Sequence, residues 1–277
     1  MDETSLRYRR LVIKAGTSVL TRGTDRLDLE VMSSLVGQIA RLHSRGAECI
    51  LVTSGAVAAG RRVLGLFKER RDIPFRQVLA AVGQGRLMHA YDQLFNWHGI
   101  AVAQALVTRR DVDDRLGYLN VRNTLLALLE LGVVPLVNEN DVVTAEELGE
   151  EAFGDNDRLS ALVANLVDAD LLVMLTDIQG LYSADPSLDP EAVLIRRVEK
   201  VDAEVEAMAG QHIHSWSRGG MATKLEAARL ATASGVAVVI ACGWETGVVE
   251  RLARGEEMGT FFVPSATRLE SRKRWML

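Results

Sequence analysis

Short apolar runs alternate along the chain with longer stretches whose apolar residues recur every three or four positions. The first run, Leu11-Val12-Ile13, is followed by a stripe of Leu29, Met32, Leu35, Ile39 and Leu42 that occupies one face of a helix, and Gly46 supplies the stop. Residues 49–52 predict a second strand, which a tight turn at Ser54-Gly55 joins to another helical stretch. Helical patterns over about 75–98 and 116–131 close at Gly99 and Gly132 and lead into strands at 100–103 and 133–137. Pro135 has no N–H to give a ladder, which weakens the prediction of a regular central strand there. A helix at 159–167, a strand at 171–175, a helix from Met221 to a stop at Gly235, a strand at 236–241, a helix at 248–253 and a strand at 260–263 complete the pattern.

Strand, helix, strand in repeated succession is the signature of a parallel sheet covered on both faces. The predicted class is α/β, a three-layer αβα sandwich with a mainly parallel central sheet of seven or so strands, doubly wound. With 277 residues, 48% of them hydrophobic, the chain can bury a large core as one α/β domain or two lobes. No repeat interrupts it. The most loop-like region, 177–190, reads as a surface excursion. The domain is expected to span 1–264, with 265–277 as a C-terminal tail too short for a further element.

A formal charge of −5 gives no global attraction to nucleic acid or to anionic membranes. Cys49 and Cys242 stand far apart in apolar runs, and none of the five histidines falls in a zinc pattern, so neither a redox pair nor a metal site is predicted. No apolar run reaches membrane-span length, and the start, Met1-Asp2-Glu3-Thr4-Ser5, is acidic where a signal peptide is basic. A cytoplasmic protein is the expectation.

In open parallel sheets ligands gather beyond the carboxyl ends of the strands, and polar residues recur there. Lys14-Ala15-Gly16-Thr17-Ser18 follows the first strand, Thr53-Ser54-Gly55 the second, Asn138-Glu139-Asn140-Asp141 the strand ending at Val137, and Thr176-Asp177 the one ending at Leu175. Arg218-Gly219-Gly220-Met221-Ala222-Thr223-Lys224 joins a glycine pair to a lysine at a helix start. There the free N–H groups attract anions and glycine lets phosphate oxygens approach. An ordinary glycine turn before an amphipathic helix reads the same when that stretch is taken alone. Gly154-Asp155-Asn156-Asp157 precedes another helix, where either aspartate can serve as an N-cap. A Walker A loop, a GxGxxG fingerprint and a nucleophile-elbow glycine are all missing, so a bound nucleotide needs another cradle and a hydrolase is disfavoured.

Taken in order, these segments resemble the glutamate 5-kinase branch of the amino-acid kinase family across essentially the whole chain. The matching stretches are Val12 to Leu20, Val52 to Gly60, Leu79-Ala80-Ala81-Val82-Gly83-Gln84, Asn138 to Asp141, Phe153 to Asp157, Leu175-Thr176-Asp177 with Gly180-Leu181-Tyr182, and Gly219 to Leu225. The resemblance implies ATP-dependent phosphorylation of the side-chain carboxylate of L-glutamate, the first step towards proline. It also implies feedback inhibition by proline and a homo-oligomer, a dimer or tetramer. By position, Lys14 and Lys224 contact ATP phosphates, Thr176, Asp177 and the loop Arg218, Gly219, Gly220, Met221, Ala222, Thr223 and Lys224 hold nucleotide, Ser54, Asp141 and Asn156 bind glutamate, and Asp157 orients the two lysines.

Mg²⁺ would be bound mainly through phosphates, without a dedicated protein cage. The chain departs from the family pattern in Arg218, where a threonine or serine is usual, and in a longer acidic segment at 145–152. Many members continue past the region of Arg272 into a PUA domain of RNA-binding type, whereas this chain stops there. The readings from other classes are a family member with a different acceptor, a noncatalytic amino-acid or nucleotide sensor on the same fold and, more weakly, a nucleic-acid-binding module.

Overall fold

Alternation along the first strand, β1 (Arg10–Ala15), sets the layers of the molecule. Leu11, Ile13 and Ala15 belong to one apolar cluster and Val12 to the other, so successive side chains serve opposite faces of the sheet. The computed structural model of the chain describes residues 5–65, 73–143, 156–210 and 220–265. Within them the further strands are β2 (Glu48–Thr53), β3 (Val102–Val107), β4 (Val134–Glu139), β5 (Leu171–Thr176), β6 (Arg197–Val198), β7 (Ala237–Cys242) and β8 (Thr260–Phe262). They form one sheet in the order β3-β4-β2-β1-β5-β7-β8-β6. All neighbours are parallel except β7 and β8.

One face is covered by α2 (Leu29–His43), α4 (Ile73–Asn96) and α10 (Val248–Ala253), with the short α1 (Thr17–Thr21) and α3 (Ala56–Leu64) at its rim. The other is covered by α5 (Arg109–Asp113), α6 (Arg115–Glu130), α7 (Asn156–Leu166), α8 (Ala203–Gly210) and α9 (Met221–Ala233). The three-layer α/β expectation therefore holds. Local chemistry explains the boundaries: Asp28 caps α2 by accepting from the N–H groups of Glu30 and Val31, and Thr108 and Asp111 form a reciprocal capping box on α5.

Three details differ from the sequence prediction. The strand expected at 100–103 lies at β3, because Ile100 N–H still closes the end of α4 on the carbonyl of Phe95. β4 is a regular internal strand despite Pro135, since β2 pairs with β4 only at Leu136 and Val137, beyond the proline, while Val134 donates to Ala101 on the β3 side. The sheet also gains β6, whose two residues are too few to show a period. The excursion leading to it is pinned by Thr260, whose Oγ1 accepts from Leu181 N–H and donates to the carbonyl of Ile195.

Candidate active site

The chain winds away from β1 through β2, β3 and β4 on one side, then returns across it to β5 and β7 on the other. The topological switch point thus lies between β1 and β5. Lys14, one residue from the end of β1, shares the face of Val12 by alternation and so projects under the layer that contains α7 and α9. It is 2% exposed, and its ammonium lies 2.6 Å from Oδ1 of Asp157, which is fully buried in the first turn of α7. Lys224, in the first turns of α9 and 6% exposed, brings its Nζ to 3.2 Å from Oδ2 of the same carboxylate. The Thr223 hydroxyl stands 2.9 Å from Asp157 Oδ2 and 2.9 Å from the carbonyl of Gly220.

Two ammoniums thus share the Asp157 carboxylate. Burying ions costs several kcal/mol each even after relaxation, and two ammoniums held close together favour an anion nearby. The N-terminus of α9 adds to that preference, because Gly220 offers no side-chain cap and the first N–H groups remain available. A Cβ at Gly16 would lie 3.3 Å from Lys14 Nζ, so glycine keeps one approach to that ammonium clear.

A second, neutral cluster adjoins the first through the neighbours Asn156 and Asp157. Asn156 Nδ2 lies 2.6 Å from the carbonyl of Thr53, 2.9 Å from Ser54 Oγ and 2.9 Å from Asn138 Oδ1. Asn138 Nδ2 donates in turn to Gln84 Oε1 at 2.8 Å, and Thr53 Oγ1 pairs with the hydroxyl of Tyr91 at 2.9 Å. Burial raises the Tyr91 phenol well above its ordinary value, with the Thr53 hydrogen bond acting in the opposite direction, so Tyr91 remains neutral.

The structure brings Lys14, Asp157, Thr223 and Lys224 into one group and Ser54 with Asn156 into the adjoining one. Thr176 and Asp177 bond to each other at the end of β5, where the Thr176 carbonyl also receives Gly243 N–H. Asp141 is half-buried in the turn after β4. Met221 is buried and Ala222 exposed at the start of α9. Arg218, Gly219, Asp155, the acidic segment 145–152 and the tail after residue 265 lie outside the described residues. Asn138, Thr53, Gln84 and Tyr91 carried no assigned role in the sequence. The strand-end rule was the available signal for Thr53 and Asn138, though β4 runs on to Glu139 and so includes Asn138 within the strand.

Among the described residues no group of three His, Cys, Asp or Glu side chains can hold a metal ion, and no helix is long and apolar enough to cross a membrane.

A carboxylate bridging two buried lysines at the switch point of a three-layer sheet suits an anionic ligand, and the relatives of the chain are kinases. A profile of the amino acid kinase family matches residues 9–242, and the chain belongs to that family. Within it the chain belongs with the glutamate 5-kinases. It is 55% identical over 270 residues to the one from Dehalococcoides mccartyi (strain CBDB1) and 56% identical over 270 residues to that of Herpetosiphon aurantiacus, in each case covering 98% of this chain and 72% of the relative. The glutamate 5-kinase of Moorella thermoacetica is 53% identical over 268 residues, covering 97% of this chain and 70% of the relative. Among solved structures, the UMP kinase from Bacillus anthracis superposes with a TM-score of 0.63 over 94% of this chain and 97% of that one. At 16% identity this supports the fold alone.

Proposed function

We propose that the protein transfers the γ-phosphoryl group of ATP to the side-chain carboxylate of L-glutamate, forming L-glutamyl 5-phosphate and ADP as the first step towards proline. The observation that carries this reading is the Lys14–Asp157–Lys224 cluster, set beside the hydrogen-bonded pair of Ser54 and Asn156. The acceptor carboxylate has an ordinary pKa of about 4.3 and is already ionised at neutral pH, so no general base is needed. What the transfer requires is alignment and neutralisation of charge spreading over the phosphoryl oxygens.

Lys14 and Lys224 supply that charge from two sides, and Asp157 holds both ammoniums in place. Gly220 to Lys224, with Thr176 and Asp177, provide the nucleotide side, while Ser54, Asn156 and Asp141 provide the acceptor side. Mg²⁺ arriving with ATP would be held through the phosphates, since Asp157 is committed to the two lysines, and it would add further neutralising charge. Incubation with ATP, Mg²⁺ and L-glutamate, trapping the acyl phosphate with hydroxylamine, should give glutamate-dependent hydroxamate. ADP release without hydroxamate, or no turnover at all, would refute the reading. The same family reading carries proline as a feedback inhibitor and a dimer or tetramer as the assembled form. Proline titration of that assay and light scattering test each.

A further inference from the structure

Gln84 lies on α4 inside a stretch, Leu79 to Gln84, that the proposed chemistry does not use. Its position is fixed by a helix crossing in which two backbones meet. A Cβ at the preceding residue, Gly83, would lie 1.8 Å from the carbonyl oxygen of Ala56 and 2.4 Å from Gly60 N, so α4 and α3 touch backbone to backbone there. The side chain then joins an amide chain that crosses the carboxyl edge of the sheet. Asn138 follows Val134 and Leu136 onto the α4 face, while Asn156 opens α7 on the opposite face.

The polarity of that chain follows from backbone groups. The carbonyl of Thr53 can only accept, which makes the atom of Asn156 facing it the NH₂ group. Asn138 must present oxygen to that NH₂ and to the N–H of Glu139, which turns its own NH₂ towards Gln84. Gln84 must therefore present Oε1. Its Nε2 is left buried without a partner among the described residues. Leaving a buried donor unpaired costs about 1–3 kcal/mol. A methionine of similar shape would remove that donor but would also take the acceptor from Asn138 Nδ2, so the glutamine is present for its oxygen.

We propose that Gln84 is a positioning residue that determines acceptor specificity. By accepting from Asn138 it adds a side-chain hold to the orientation that the Thr53 carbonyl and the Glu139 N–H set, and that orientation leaves Asn156 Oδ1 to receive the α-ammonium of an amino-acid acceptor. Without Gln84 Oε1, Asn138 keeps only its bonds to Asn156 and to the Glu139 N–H, and the Asn156 amide that leans on it is held less firmly towards the acceptor. This inference rests on the proposed phosphorylation of glutamate and identifies how that site tells an amino acid from a plain dicarboxylate.

The test compares L-glutamate with glutarate, which carries the same two carboxylates and no amino group, in the wild-type protein, Gln84→Met and Gln84→Glu. For Gln84→Met the ratio of kcat/KM for glutamate over glutarate should fall about tenfold, the loss of one hydrogen bond to a charged group. KM for ATP should be unchanged and the melting temperature should move little, because the unpaired Gln84 donor is exchanged for an unpaired Asn138 donor. Gln84→Glu keeps an oxygen opposite Asn138, and its ratio should not fall. A ratio within about twofold of wild type in Gln84→Met would overturn the proposal. So would a Gln84→Met protein that melts markedly lower or does not fold, since Gln84 would then be holding the structure. A wild-type protein that phosphorylates neither compound refutes the proposed function instead.

Discussion

Asp157 is the residue on which the charge balance turns, because it is fully buried and faces two ammoniums that are themselves nearly so. In Asp157→Asn two buried cations lose their shared counter-ion at almost unchanged volume. Removing one partner of a buried pair typically costs about 3–5 kcal/mol, and that loss is expected in denaturant melts together with near-complete loss of turnover. Lys14→Met removes one ammonium and leaves the other pair intact. It should fold and lower kcat about 10²–10³-fold, the usual effect of deleting one preorganised charge-stabilising group; turnover within a few-fold of wild type would exclude the clamp.

Cysteine reactivity is a residue-scale property of a different kind. Burial, reinforced by Glu48, pushes the Cys49 thiol up to about 12, whereas Cys242 is partly accessible at the end of β7. Native protein treated with iodoacetamide at pH 8 should be alkylated at Cys242 well before Cys49, as read by mass spectrometry. The sign for stability follows: the folded thiol keeps its proton after the unfolded one has lost it. Its contribution is therefore complete below about pH 8.5 and declines as pH rises towards 12.

At the scale of elements, the α3–α4 contact positions both ends of the neutral hydrogen-bonded cluster, since Ser54 stands two residues before α3 and Gln84 directly after Gly83. A Cβ on Gly60 would come within 1.9 Å of the carbonyl oxygen of Leu79, with backbone rather than a yielding side chain in the way. Gly60→Ala should separate the helices, cost roughly 1–3 kcal/mol in a thermal or denaturant melt, and raise KM for glutamate more than for ATP. An unchanged KM for glutamate in a destabilised variant would show that the contact serves stability alone. This contact was not legible beforehand: one sequence shows two glycines inside helical patterns but not that they meet. β6 was hidden for a similar reason, because two residues gain their strand geometry only from pairing with β8. The elements that were legible, such as α2 with its apolar stripe and Asp28 cap, carry their own period and their own stop.

For the whole molecule, the legible part of the site was the part tied to strand ends and helix starts, because topology sends Lys14, Asp157 and Lys224 to one edge of the sheet. What the sequence could not show was how amides from opposite layers meet across that edge, which depends on helix packing. The placement has a consequence for global stability. Two buried ammoniums stand close together at the junction of both layers, and a polyphosphate that binds them should stabilise the entire domain by linkage. At a hundred times the dissociation constant, a ligand that binds only the folded state contributes about 2.7 kcal/mol, or roughly 5–10 °C in melting temperature for a chain of this size. ATP and inorganic tripolyphosphate should both raise the melting temperature, adenosine should do so far less, and the tripolyphosphate shift should shrink strongly in Lys14→Met. Calorimetric scans in which adenosine stabilised as well as tripolyphosphate would place the binding energy in the base rather than in the two-lysine cluster.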